Sequence, residues 1–193
     1  MIFSAVILAG GRSRRMGRDK AWLPVNGEPL LARQIEMVRQ LAPFEIYISG
    51  RADTDYSSFC CPVLHDQFTD AGPLAGIERA LDAASTPLML VLAVDLPNMS
   101  APFLRMLAGN CTDRQGVIPR LKGSIEPLVA FYPKYAKTLA EAQLRTSHYA
   151  VTAFAERCVQ TGLASFHDLS TADTGFFFDW NHNSQPPMAV MTR

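Results

Sequence analysis

The order of apolar runs along this chain predicts an α/β fold of three layers, a mostly parallel central sheet with helices on both faces. Three observations lead there. Apolar runs from Phe3 to Ala9, with Ser4 alone polar, and from Leu88 to Val94 read as strands buried on both faces. Segments with helical spacing lie between such runs, and glycine or proline closes most of them. Strand and helix in alternation build a parallel sheet, and ligands of such sheets bind beyond the carboxyl ends of the strands.

The elements follow in order. Ile2, Phe3, Ala5, Val6, Ile7 and Leu8 form the first strand, ended by Gly10 and Gly11. Pro29 to Leu41 places Leu30, Leu31, Ile35, Val38 and Leu41 at helical spacing, and Glu45 to Ser49 returns to a short strand. Pro62 to His65 predicts a third short strand, and Gly72-Pro73 punctuates the loop before an amphipathic helix from Leu74 to Ala84. The strand from Leu88 runs without polar interruption to Asp95, and Pro97 then removes a backbone donor and stops the pairing. In the second half, 116–119 and 125–132 read as strands, 133–143 and 150–160 as helices, and Gly175 to Trp180 as a final short strand.

The 193 residues fit one domain, 1–193, with 184–193 as a loose tail. With 18 basic and 18 acidic side chains and 48% apolar residues, the composition argues against disorder and against a nucleic-acid partner. Cys60, Cys61, Cys111 and Cys158 show no Cys-x-x-Cys spacing, as expected of reduced thiols in a cytoplasmic protein. No apolar stretch approaches the roughly 20 residues of a membrane span, and no basic leader precedes the first apolar run. Neither membrane insertion nor export is expected.

The segment Leu8-Ala9-Gly10-Gly11-Arg12-Ser13-Arg14-Arg15-Met16-Gly17-Arg18-Asp19-Lys20 carries most of the functional information. Glycines directly after a buried strand allow close backbone approach and present amide donors, and the arginines add planar forks that match phosphate oxygens. Arg12, Arg14, Arg15, Arg18 and Lys20 repel one another, and a bound polyanion relieves that repulsion. A solvated basic turn has no comparable need of paired glycines. No Gly-Lys-Ser/Thr stands at the Walker distance and no Gly-x-Gly-x-x-Gly is present, which sets aside Walker ATPases and ordinary dinucleotide dehydrogenases. The pattern suits a nucleoside triphosphate, with Arg12 and Arg15 as the phosphate contacts among the arginines. Asp95 offers a hard oxygen suited to magnesium; spacing alone leaves a turn former or helix cap equally open.

Leu8-Ala9-Gly10-Gly11, Arg15-Met16-Gly17, Asp19-Lys20 and Leu23-Pro24 together resemble the entry loop of Rossmann-like nucleotidyltransferases. Within that superfamily, Leu-Ala-Gly-Gly followed by Arg-Ser-Arg-Arg-Met-Gly looks most like the molybdenum cofactor guanylyltransferases; cytidylyltransferase relatives usually show Leu-Ala-Ala-Gly. Gly72-Pro73-Leu74-Ala75-Gly76-Ile77, Asp95-Leu96-Pro97 and Glu126-Pro127-Leu128-Val129-Ala130 are similar to further segments of that family. The resemblance runs from Val6 to about Asn181.

It implies a Rossmann-like nucleotidyltransferase fold and magnesium-dependent transfer of GMP from GTP to molybdopterin carrying molybdenum. Pyrophosphate leaves and a guanine dinucleotide cofactor forms; molybdoenzymes or their chaperones are the onward partners. By resemblance, Lys20 binds the triphosphate, Asp95 binds Mg2+, and Lys20, Arg15 and Asp95 serve catalysis. Leu8, Ala9, Gly10, Gly11, Arg12, Ser49, Asp66 and Asn181 complete the nucleotide-binding set, with Asp66 accepting from guanosine. The attacking phosphate is already ionised at neutral pH, so no protein base is required and His65 is given no catalytic role. One departure stands out. Phe178-Asp179-Trp180-Asn181-His182-Asn183 occupies the place of an Asn-x-Asn-Thr-Pro segment, so Asp179 adds a charge where the family has an amide. Two alternatives remain open: a related enzyme using CTP or a sugar-phosphate acceptor, and a non-catalytic adaptor that binds nucleotide or pterin.

Overall fold

The computed structural model describes residues 1–10, 20–25 and 27–178. Along the chain, the strands are β1 (Phe3–Leu8), β2 (Pro24–Val25), β3 (Glu28–Pro29), β4 (Ile46–Ser49), β5 (Val63–Leu64), β6 (Leu88–Ala93), β7 (Gly116–Leu121), β8 (Ser124–Ile125), β9 (Val129–Pro133) and β10 (Ala164–Leu169). The helices are α1 (Leu30–Arg39), α2 (Pro73–Ala83), α3 (Ala101–Gly109), α4 (Lys137–Arg145) and α5 (Val151–Gln160).

The main sheet has the order β5-β4-β1-β6-β9. Its first four strands are parallel and β9 returns antiparallel to β6. A second, three-stranded sheet in the order β10-β7-β8 continues beside β9. The two meet closely at Gly116, where an added methyl group would overlap the Phe131 carbonyl oxygen.

The period-two alternation of strand side chains divides the core into two. From β1 and β6, Phe3, Ala5, Ile7, Leu88, Leu90 and Leu92 point to one face and pack with Leu30, Leu31, Ile35 and Val38 of α1 and Phe103, Leu104 and Leu107 of α3. Val6, Met89 and Val91 point to the other face, against Leu74, Ile77 and Leu81 of α2, Ala140 and Leu144 of α4, and Phe154 and Cys158 of α5. Helices therefore cover both faces, as the continuous apolar runs predict. Among the described residues, no helix is long and apolar enough to cross a membrane.

Some expected elements are corrected. The segment 125–132 is two short strands, β8 and β9, because Pro127 interrupts the run and the Val129 amide turns back to the Glu126 carbonyl at 3.3 Å. Residues 171–177 form a 3-10 helix where a terminal strand is expected. Ser170 and Asp173 close it with a reciprocal capping box, which favours helical over extended backbone. Among the described residues the last strand lies earlier, at β10. The expected tail, 184–193, lies outside the described residues.

Candidate active site

Strand register brings four carboxyl ends into one row. Leu8 pairs with Ser49 on one side and Ala93 on the other, and Ser49 pairs with Leu64. Beyond this row opens a cleft of ≈ 400 Å³, within the usual range for small-molecule sites. Leu8, Ala9, Gly10, Lys20, Ser49, Asp66 and Asp95 all line it, though the first and last stand 87 positions apart in sequence. Gly11, Arg12, Arg15 and Asn181 lie outside the described residues, as does Asp179.

At one end stand opposite charges. Lys20 opens a single 3-10 turn whose Trp22 ring rests 4.9 Å from that of Phe59. Its Nζ donates to Asp95 Oδ2 at 2.8 Å, and both side chains are largely shielded, at 18% and 23% exposure. The chain at Asp95 is held by its neighbours. The Ala93 amide donates to the Leu128 carbonyl at 2.8 Å and the Val94 amide to the Leu8 carbonyl at 3.2 Å.

Gly10 sits between the two ends. Its φ is not positive, and an added Cβ would meet the Ser49 carbonyl oxygen at 3.7 Å and the Gly50 carbonyl carbon at 3.9 Å, which is ordinary contact. Among the described residues, neither backbone conformation nor packing demands a glycine there. The missing side chain leaves room in the cleft.

At the other end, the first turn of α2 lines the cleft with Gly72, Pro73 and Gly76. Gly72 takes a φ of +68°, which turns the chain into the helix at little steric cost for glycine. Any side chain at Gly76 would overlap the Ser49 hydroxyl and crowd Leu8 Cδ2 at 3.1 Å. Asp66 keeps contact with solvent, yet partial burial raises its carboxyl pKa, while the nearby His65 and Ser49 pull the other way. The cleft thus has a charged end at Lys20 and Asp95 and a hydrogen-bonding end at Ser49 and Asp66, with small residues between.

The model of the MobA-like NTP transferase domain matches residues 5–160. The chain belongs to this family. Its members are nucleotidyltransferases, and the cleft lies where such a sheet binds its ligands. Among relatives of this MobA-like chain, a protein of Opitutus terrae described as a probable molybdenum cofactor guanylyltransferase is 38% identical, over 81% of this chain and 79% of its own length. The molybdenum cofactor guanylyltransferase of Syntrophotalea carbinolica is 34% identical, over 78% and 72%. The fold also matches the molybdopterin-guanine dinucleotide biosynthesis protein A of Archaeoglobus fulgidus, with a TM-score of 0.73, 22% identity and 93% of each chain covered. A cytidylyltransferase of Thermus thermophilus follows, with a TM-score of 0.70, 16% identity and 92% of each chain covered. These two likenesses show a shared fold.

Some cleft residues were not singled out from the sequence. Asp70, Gly76 and Leu128 line the cleft beside the predicted set. Gly76 and Leu128 fall inside the family-like segments, so that signal was present; Asp70, at a φ of +55° just before Gly72, carries no sequence signal of its own.

Proposed function

We propose that this nucleotidyltransferase transfers GMP from GTP to the phosphate of molybdopterin carrying molybdenum, with Mg2+, releasing pyrophosphate and forming a guanine dinucleotide cofactor. The single observation behind this reading is the cleft itself, with Lys20 paired to Asp95 at one end and Asp66 with Ser49 at the other. Three strand spacings separate β5 from β6, roughly 14 Å, a span that a nucleotide bridges from base to phosphates.

An ionised Asp66 is an acceptor only, and guanine presents two adjacent donors, N1–H and N2–H, along one edge. Cytosine and adenine each offer one exocyclic amine beside a ring acceptor. Names of the relatives point to guanine in the same way.

Mg2+ fits the phosphate end. Among the described residues, no group of three or more His, Cys, Asp and Glu side chains is placed to hold a metal. Asp95 gives one hard oxygen, which matches an ion usually held by one or two carboxylates, substrate phosphates and water. Asp95 would hold the ion, which would supply neutralisation of the charge on the phosphoryl oxygens. Lys20, released from Asp95, holds the triphosphate and the charge growing on pyrophosphate. Gly10, Gly11, Arg12 and Arg15 are assigned to the same phosphates, and Asn181 to the nucleotide-binding set. The reaction needs soluble substrates, in keeping with a cytoplasmic enzyme that passes its product to molybdoenzymes or their chaperones.

The test is pyrophosphate release from GTP in the presence of Mg2+ and molybdopterin carrying molybdenum. Turnover should need all three, and Asp95→Asn should lower it at least 100-fold with only modest loss of GTP binding, about the effect of removing a charge-stabilising group. Full activity in Asp95→Asn removes the metal role, and binding without any turnover in the wild type favours an adaptor.

A further inference from the structure

Helix α1 buries an amide on its apolar face. Gln34 is 3% exposed, among Leu30, Leu31, Ile35 and Val38. Its Nε2 donates to the Leu96 carbonyl at 2.6 Å and reaches the Val94 carbonyl at 3.4 Å. Both partners are acceptors, so the amino end of the amide must face them. Gln34 does not line the cleft.

Burying an amide is unfavourable unless it finds hydrogen-bond partners. A leucine or methionine would fill the same volume without that cost. What the amide adds is a bridge between two carbonyls, and Asp95 stands between them in the chain. One bond fixes the peptide plane preceding Asp95 and the other the plane following Leu96, a three-residue span centred on the carboxylate. Pro97 follows immediately and has no amide hydrogen to contribute.

We infer that Gln34 is a positioning residue: through the Val94 and Leu96 carbonyls it sets the direction of the Asp95 side chain and hence the affinity of the site for its divalent cation. This rests on the metal role proposed for Asp95. It reaches the ion only through backbone, so it differs from the residues that touch substrate. Groups that orient a metal ligand typically alter metal affinity 10–100-fold when removed.

The test is Mn2+ binding to the protein–GTP complex, followed by electron paramagnetic resonance, with GTP affinity measured separately without metal. Gln34→Met keeps the volume and loses the donor; Gln34→Asn keeps the donor on a side chain too short to reach. Both should weaken Mn2+ binding about tenfold or more, with metal-free GTP affinity within about twofold of wild type. Unchanged Mn2+ affinity in either folded variant overturns the inference. So does a parallel loss of metal-free GTP binding, or failure of both variants to fold, since Gln34 would then be an ordinary core residue. Asp95→Asn separates the two levels: if it binds Mn2+ as wild type does, the metal role of Asp95 itself has failed.

Discussion

Gly76→Ala separates the stability of the fold from the binding of its ligand. Position 76 is in the first half of α2, where alanine is favoured over glycine by about 1 kcal/mol. The new methyl group would overlap the Ser49 hydroxyl and sit 3.1 Å from Leu8 Cδ2. The hydroxyl has to rotate to another staggered position, and Ser49 Cβ at 3.3 Å and Leu8 Cδ2 must each give by a few tenths of an ångström; the helix preference for alanine offsets this, so folding stability should stay within about 1 kcal/mol of wild type. The rotation turns the Ser49 hydroxyl away from the cleft position proposed for it beside the base or ribose of the nucleotide. A hydrogen bond contributes about 1 kcal/mol net, so GTP affinity should fall about fivefold. Calorimetric titration with Mg-GTP gives the affinity, and urea unfolding gives the stability. Ser49→Ala should show a similar loss, and the double variant should lose no more than either alone. A folded Gly76→Ala protein that binds GTP as tightly as wild type refutes the assignment of Ser49 and Gly76 to the base end.

Two further predictions concern protonation. Partial burial raises the Asp66 carboxyl pKa, so if its ionised form accepts from guanine, GTP affinity falls on acidification beginning above the ordinary carboxylate range. Titration of GTP binding against pH tests this, and Asp66→Asn should abolish that dependence. Glu78, 4% exposed on α2, has an Oε2 with no hydrogen-bond partner among the described residues. Burial raises its pKa; Lys137 opposes this, Asp82 and Glu141 reinforce it, and Arg79 opposes it. The folded protein therefore holds this proton more tightly than the unfolded chain. Its contribution to stability is full below the ordinary glutamate pKa and is lost as pH rises through the raised folded value. Glu78→Gln, which cannot ionise, should flatten this pH dependence in urea unfolding and leave the protein no less stable at pH 7; a destabilised variant contradicts the reading.

Much of the fold was legible because buried parallel strands leave a strong trace. β6 is an unbroken apolar run, β1 is one interrupted only by the buried Ser4, and α1 and α2 show clean helical spacing. β10 left little trace: its residues, Ala164 to Leu169, mix apolar, polar and charged side chains and mostly remain half-exposed. α3 was readable in principle, with Ser100 capping it by accepting from the Phe103 amide and apolar residues at 103, 104 and 107. The site was legible where a motif marks it, at Gly10, Lys20 and Asp95. Gln34 was not, because a single polar residue on an apolar helix face gains meaning only once the carbonyls it meets are known.

Equilibrium binding of GTP, CTP, ATP and UTP to the same protein, each with and without Mg2+, bears most directly on the cleft as a guanine nucleotide site. GTP should bind at least tenfold more tightly than the others, since a base edge lacking two adjacent donors leaves Asp66 incompletely paired. Adding Mg2+ should tighten that binding further. Equal affinity for all four, or a preference for CTP, contradicts the pairing of Asp66 with guanine.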